Sequence, residues 1–159
     1  ATEVGVGLVL PWQSERCVSV WQGAKQAKGR QRWQATALQA AKQARRARVP
    51  EVEEMRDTRR LVDWVAQTVR DGGVVLVLHE EASTPISTAM ESVRLPAPGE
   101  APRGLAVVVG PEGGISPEET AALEVAGATT VRLGPHVMRT ASAGPVALAV
   151  LAHASGLWE

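Results

Sequence analysis

The chain has 159 residues, of which 45% are hydrophobic and 21% are charged, a composition typical of one compact domain. Its one cysteine, Cys17, excludes an internal disulfide and favours a reducing compartment, which predicts a cytoplasmic location. No apolar run approaches the roughly 20 residues of a membrane span. Lys plus Arg and Asp plus Glu number 17 each, and this zero net charge by itself argues against a nucleic-acid partner.

The charges are, however, unevenly distributed along the chain. Residues 1–72 carry 13 basic and 8 acidic side chains, whereas residues 73–159 carry 4 basic and 9 acidic ones, so the two parts have charges of +5 and −5. From Lys25 to Arg48, eight basic residues meet no acidic one. Such a stretch is either a solvated helix face or a patch that attracts the phosphates of a nucleic acid.

Short apolar runs alternate with helix-forming stretches. The predicted strands are Val6–Leu10, Val74–Leu78, Leu105–Val109 and Thr130–Leu133. Their apolarity is continuous rather than alternating, which is typical of strands buried on both faces of a parallel sheet. The predicted helices are Gln26–Ala47, Arg59–Arg70, one that begins after Ser116, and Ala141–Leu157. This order predicts an α/β domain in which helices cover a parallel sheet.

Two predicted helix ends rest on specific residues. Ser116 is a candidate N-cap, with Pro117 at the first helical position and Glu119 completing a capping box. At the start of the chain, Ala1–Gly5 has the pattern of the end of a helix with Gly5 as its C-cap. We therefore expect the chain to begin within an element and to be a fragment.

The third predicted strand leads into the glycine-rich loop Gly110–Gly114, which contains Glu112. Glycines there allow positive φ and let backbone approach a ligand, and the carboxyl ends of parallel strands are where ligands bind in open α/β sheets. The loop matches neither GxGxxG nor the GK[ST] of a nucleoside triphosphate site, so a ligand without phosphates fits better. The alternative is an ordinary strand–helix turn.

The fourth predicted strand leads into a second loop, Leu133–Thr140, with the same Gly-Pro start. Arg139 lies directly before the last predicted helix and is one of only four basic residues in the acidic part. It is a candidate functional residue, with a salt bridge to a carboxylate such as Glu112 as the structural alternative. Thr140 is a candidate N-cap for the last helix.

Two motifs carry a resemblance to a known family. In this order and spacing, Gly110–Glu119 (GPEGGISPEE) and Leu133–Thr140 (LGPHVMRT) resemble the signature of the bacterial 16S ribosomal RNA uridine-N3 methyltransferases, or ribosomal small-subunit methyltransferases E, of the SPOUT class. Similarity extends to four shorter segments, so that it covers nearly the whole chain: Ala1–Val6, Pro11–Arg16, Ala40–Arg46 and Val49–Val52. Members usually have an acidic residue and Thr where this chain has Ala141 and Ser142, and more often Arg at the position of His136.

The resemblance implies a SPOUT-type parallel-sheet domain over residues 1–159 with a C-terminal trefoil knot, acting as a homodimer with active sites at the subunit interface. It also implies that three loops of the knot bind S-adenosylmethionine, mostly through backbone groups. By position, the cofactor-binding residues are Leu78, His79, Glu80, Val109, Gly110, Gly113, Gly114, Leu133, Gly134, Val137, Met138 and Thr140. No metal is implied. Members begin with a PUA-like RNA-binding domain that is absent from this chain.

The implied reaction is attack of a uracil N3 in 16S ribosomal RNA of the small ribosomal subunit on the methyl group of the cofactor. Because N3 is protonated at neutral pH, the site needs a base or a group that stabilises the uracil anion. Arg139 is the candidate to stabilise charge on O2 or O4, and Glu112 is the candidate to accept the proton or orient Arg139. His79 either lines the pocket or makes a structural hydrogen bond.

Other functions stay open from the sequence. The chain could be a knotted methyltransferase for transfer RNA or another ribosomal site, or a non-catalytic RNA-binding module with the same fold. A doubly wound domain for some other nucleotide is disfavoured because neither GxGxxG nor GK[ST] is present.

Overall fold

A computed structural model describes residues 1–91 and 104–158 of the chain. The elements in chain order are β1 (Leu8–Val9), β2 (Trp12–Gln13), α1 (Ala24–Gln43), β3 (Glu51–Val52), β4 (Arg56–Asp57), α2 (Thr58–Arg70), β5 (Val74–Leu78), α3 (Ile86–Glu91), β6 (Leu105–Val108), α4 (Pro117–Val125), β7 (Thr129–Val131) and α5 (Thr140–Ala154). Among these helices, none combines the length and apolarity needed to cross a membrane.

The centre of the fold is a three-stranded parallel sheet in the order β6-β5-β7. Strand β5 lies in the middle, and its side chains alternate between two cores. Val75 and Val77 pack with residues of α2 and α4, whereas Leu76 packs with Ala147 and Leu151 of α5. Each fully buried Val or Leu contributes about 1.5–3 kcal/mol relative to an exposed one. The prediction of an α/β domain with a parallel sheet is confirmed, and β5 is buried on both faces, whereas most of β6 is half-buried and Thr129 of β7 is exposed.

One predicted strand is not part of this sheet. Only Leu8 and Val9 of Val6–Leu10 are extended, and they pair in parallel with β3 in a separate two-stranded sheet. Strands β2 and β4 form a second such pair. Leu8 is 38% exposed, so this apolar run is not buried on both faces. The prediction that it belongs to the same parallel sheet as the other strands is therefore wrong.

Helix α1 is shorter at its end than the sequence predicts, because it stops at Gln43 rather than Ala47. Arg45 has a φ of 53°, its N–H bonds the Lys42 carbonyl, and the N–H of Arg46 bonds the Ala41 carbonyl. This hydrogen-bond pattern is a Schellman motif, which ends a helix before any proline is reached. A non-glycine residue in this conformation costs about 1–2 kcal/mol.

Residues Ala1–Gly5 have the backbone hydrogen bonds of a helix C-terminus, although these residues do not themselves form a helix. The N–H groups of Gly5 and Val6 bond the carbonyls of Thr2 and Ala1, and Gly5 has a φ of 107°. The predicted capping glycine therefore has the left-handed backbone of a helix C-cap, but the residues before it form a turn.

The remaining helices fall close to their predicted positions. Helix α4 has the predicted capping box, in which Ser116 and Glu119 satisfy each other's backbone N–H groups. Helix α5 begins at Thr140 and ends at Ala154, three residues before the predicted end. The prediction that Thr140 caps α5 is wrong, because Arg139 is the N-cap and makes no side-chain capping bond. The six-residue helix α3 was not predicted.

Candidate functional site

The carboxyl ends of β5, β6 and β7 meet at one edge of the central sheet, and the loops that follow them surround a cleft. This cleft is lined by Leu78, His79, Glu80, Val109, Gly110, Pro111, Gly114, Ile115, Arg132, Leu133, Gly134, His136, Val137, Met138, Thr140 and Ala143. The structure therefore brings all the predicted cofactor-binding residues except Gly113 to one place. Parallel pairing of the three strands is what aligns their ends.

Hydrogen bonds connect the three loops around the cleft. The Thr140 hydroxyl donates to the carbonyl of Gly110 across 3.1 Å, which joins the start of α5 to the loop after β6. The N–H of His79 donates to the Val131 carbonyl at 3.0 Å, which extends the pairing of β5 with β7. The His79 Nδ1 accepts a bond from the N–H of Glu81 at 3.2 Å, so this histidine both lines the cleft and makes a local structural bond.

Two glycines of the cleft differ in what surrounds them. A Cβ on Gly110 would lie 2.6 Å from Cγ1 of the buried Ile115, so the loop closes on itself only with glycine there. A Cβ on Gly134 would meet nothing within 4 Å. Protein packing thus explains Gly110, whereas the open space beside Gly134 leaves backbone accessible to a ligand.

The apolar wall of the cleft includes two side chains that the protein itself leaves uncovered. Val137 is 77% exposed and Met138 is 39% exposed, although both follow a buried strand. Exposed apolar side chains in a cleft rimmed by backbone polar groups suit a ligand with a flat apolar ring and polar substituents.

The two candidate catalytic residues lie at the rim rather than in the lining. Glu112 is exposed and follows Pro111, and Arg139 is exposed between Met138 and Thr140. Within residues 1–91 and 104–158, the sole ion pair is Arg56–Glu53, so the salt bridge considered between Arg139 and Glu112 is not formed. Arg139 is free of any structural hydrogen bond from its side chain to the described residues.

Sequence reasoning missed several residues of the lining: Pro111, Ile115, Arg132, His136 and Ala143. Arg132 could have been found because it directly follows a buried strand, and Ala143 because it lies one helical turn after Thr140. The part of the chain that the structure describes contains no group of three His, Cys, Asp or Glu side chains arranged to hold a metal ion.

Comparison with known proteins shows the family to which the chain belongs. Ribosomal RNA small subunit methyltransferase E of Mycobacterium bovis is 46% identical over 159 residues, which are 100% of this chain and 58% of that protein. The methyltransferase of the same name from Neisseria gonorrhoeae, solved with S-adenosylmethionine, superposes with a TM-score of 0.79 at 27% identity over 97% of this chain and 57% of that one.

A protein from Legionella pneumophila, also solved with S-adenosylmethionine, superposes with a TM-score of 0.78 at 29% identity over 97% of this chain and 58% of that one. The chain thus spans a little over half the length of these relatives. Residues 1–152 match the family of RNA methyltransferase domains. The chain therefore belongs to the RNA methyltransferase domain family.

Proposed function

We propose that this chain is the catalytic domain of an S-adenosylmethionine-dependent methyltransferase that modifies N3 of a uridine in 16S ribosomal RNA. The observation that carries the proposal is that the loops after β5, β6 and β7 together line one cleft. Two similar structures hold S-adenosylmethionine, and a relative with 46% identity is named for the small-subunit ribosomal RNA.

The residues of the cleft fit this cofactor. Leu133, Val137 and Met138 would contact the adenine, and backbone groups beside Gly134 would bond its polar edge. The loops that line the cleft contain neither GxGxxG nor GK[ST], which suits a ligand without phosphates. When bound, S-adenosylmethionine supplies a methyl group on a positively charged sulfur.

In the proposed reaction, a bond forms between uracil N3 and the methyl carbon while the bond from that carbon to sulfur breaks. The electron pair of the broken bond stays on the sulfur, and the N3 proton passes to Glu112 or, if Glu112 only orients Arg139, to a solvent water. Arg139 would stabilise the negative charge that develops on O2 or O4. Both side chains are exposed next to cleft-lining residues, where an RNA base that has left its stack could reach them.

The basic stretch Lys25–Arg48 is proposed to face ribosomal RNA. Arg30 and Arg46 bond backbone carbonyls of Val52 and Thr2, at 2.8 Å and 3.0 Å, and therefore have structural roles. The other basic side chains of the stretch are exposed and have no hydrogen-bond partner among the described residues: Lys25, Lys28, Arg32, Lys42, Arg45 and Arg48. Free cations along one helix and its end are suited to phosphate contacts.

We further propose the finer architecture that the family resemblance implies. Residues 1–159 would form a SPOUT domain with a C-terminal trefoil knot, accompanied in the natural protein by a PUA-like RNA-binding domain and located in the cytoplasm. A homodimer would cover the exposed apolar side chains of and after α5, among them Val146, Leu157 and Trp158.

Calorimetric titration of the chain with S-adenosylmethionine tests cofactor binding, and methyl transfer by the full-length natural protein to small ribosomal subunits tests the reaction. We expect binding and a new N3-methyluridine in 16S ribosomal RNA, identified by nucleoside mass spectrometry. If a transfer RNA or another ribosomal site is methylated instead, the proposed substrate is wrong. Absence of binding at millimolar cofactor would favour a non-catalytic RNA-binding module.

A further inference from the structure

The carboxylate of Glu119 is buried more deeply and bonded more widely than a capping box requires. Glu119 is 6% exposed, and its Oε2 accepts the local capping bond from the N–H of Ser116. Its Oε1 accepts two bonds from distant segments, from the N–H of Glu15 at 2.9 Å and from the hydroxyl of Thr58 at 2.6 Å. Glu119 therefore connects the start of α4 to the turn at residues 14–17 and to α2.

This turn is held by several further contacts. Ser14 is 4% exposed, and the N–H of Cys17 closes the turn on the Ser14 carbonyl at 3.3 Å. The indole Nε1 of Trp12 donates to the Thr58 hydroxyl, which itself donates to Glu119. A turn bonded through a buried carboxylate is positioned with respect to α4 and its preceding loop rather than free to move.

The turn places Arg16 against the glycine-rich loop after β6. A Cβ on Gly113 would lie 3.1 Å from the carbonyl oxygen of Arg16, so the two backbones are in direct contact. The Arg16 Nη1 donates a long bond of 3.4 Å to the Gly113 carbonyl. The next residue, Gly114, lines the cleft, whereas Arg16 does not. The Arg16 Nη1 also lies 4.0 Å from the position that a Cβ on Gly114 would take, so the guanidinium contacts the loop at the edge of the cleft.

The Arg16 side chain is exposed and makes no ion pair with any carboxylate in residues 1–91 and 104–158. Of its five N–H donors, one is used in the long bond to Gly113, and the remainder point to no partner within those residues. A guanidinium fork is shaped for bidentate binding of a phosphate. Because Arg16 is exposed at the edge of the cleft and is not among the residues that line it, RNA phosphate is a better fit than any group of the cofactor.

We propose that Arg16 is a substrate-binding residue that holds a phosphate of the RNA next to the target nucleotide. The inference rests on the proposed function, since it takes RNA as the substrate of this cleft. A residue that positions a substrate must itself be held rigidly, and the bonds of Glu119 provide this rigidity. The Glu119 carboxylate fixes the turn that carries Arg16, and it also fixes the start of the helix that follows the glycine-rich loop.

The test uses the full-length natural protein and its Arg16→Ala and Arg16→Lys variants, with Arg70→Ala as the matched control. Arg70 is an exposed arginine at the opposite end of α2 from Thr58. Affinity for 16S ribosomal RNA is measured by filter binding at several salt concentrations, affinity for S-adenosylmethionine by calorimetry, and kcat and KM by methyl transfer.

We expect Arg16→Ala to lower RNA affinity by about tenfold and to reduce the slope of log affinity against log salt by about 1. We expect Arg16→Lys to retain the salt slope and part of the affinity, because it keeps the charge without the fork. Cofactor affinity should change less than twofold in both variants, and Arg70→Ala should match the wild type.

Unchanged RNA affinity in Arg16→Ala would overturn the inference. So would a loss of cofactor affinity equal to the loss of RNA affinity, because Arg16 would then only support the loop. If Arg16→Ala does not fold, the Arg16→Lys variant still decides the matter, since unchanged RNA affinity and KM there would contradict a role for the fork. Failure of the wild type to methylate 16S ribosomal RNA would refute the proposed function without affecting the RNA-binding measurement.

Discussion

The hydroxyl of Thr140 donates a hydrogen bond to the backbone carbonyl of Gly110, across 3.1 Å and between residues 30 positions apart. Thr140 begins α5, and Gly110 lies in the loop after β6, so the bond joins two of the three loops of the cleft. The same hydroxyl was a candidate for capping α5. The hydroxyl instead makes a tertiary hydrogen bond, and the geometry of the cleft therefore depends on the position of α5.

Replacing Thr140 by Val removes this bond while keeping the side-chain shape. We expect a loss of stability of about 0.5–1.5 kcal/mol, because the Gly110 carbonyl loses its partner. We also expect weaker binding of S-adenosylmethionine, measured by calorimetry, because both residues line the cleft. Thr140→Ser is the control and should retain both properties, whereas a Thr140→Val variant with wild-type cofactor affinity would show that the bond does not shape the site.

Alanine at Gly134 and alanine at Gly110 should have opposite effects on stability and binding. A Cβ on Gly134 meets no protein atom within 4 Å, so Gly134→Ala should leave the melting temperature unchanged and lower cofactor affinity by occupying ligand space. A Cβ on Gly110 would lie 2.6 Å from Ile115, so Gly110→Ala should lower stability by about 1–3 kcal/mol. Denaturant unfolding and calorimetry on both variants check this, and normal cofactor binding by Gly134→Ala would refute the role given to that glycine.

Replacing Arg139 by Ala in the full-length protein should strongly reduce methyl transfer without affecting the fold. The side chain is exposed and makes neither a capping bond nor an ion pair with the described residues, so its loss should change stability by less than about 0.5 kcal/mol. If it stabilises the uracil anion, kcat should fall by about 10²-fold or more. Transfer assays with matched circular dichroism spectra test this, and unaltered turnover would remove Arg139 from the catalytic residues.

Replacing Glu119 by Ala should destabilise the domain by about 2–4 kcal/mol. The change removes half of a capping box and leaves the donors of Glu15 and Thr58 without their acceptor. The neighbouring Glu118 lies in the same first turn but is exposed, so Glu118→Ala should cost less than about 1 kcal/mol. Urea unfolding of both variants measures the difference, and equal losses would mean that the long-range bonds of Glu119 contribute little.

The central sheet was predictable where a strand is continuously apolar, as in β5 and β6, and where a capping box marks the start of a helix, as in α4. Val74–Leu78 was predicted with its actual bounds, and the capping box at Ser116 and Glu119 was read correctly. The short strands β2, β3 and β4 were missed, because two-residue strands carry no periodic signal. The end of α1 was also predicted wrongly, because the sequence gives no sign that Arg45 adopts a left-handed backbone conformation.

The sequence by itself determined the alternation of strands and helices and the two glycine-containing loops, because buried strands, caps and turns depend on neighbouring residues. It also indicated the methyltransferase family through the motifs in those loops. Only the tertiary structure decided that Thr140 bonds Gly110 and that Glu119 holds the turn carrying Arg16 against Gly113. These contacts join residues 30 to 104 positions apart. These pairs form because parallel strands bring their carboxyl ends together and because buried polar groups need hydrogen-bond partners. Neither condition is visible in the residues next to each partner along the chain.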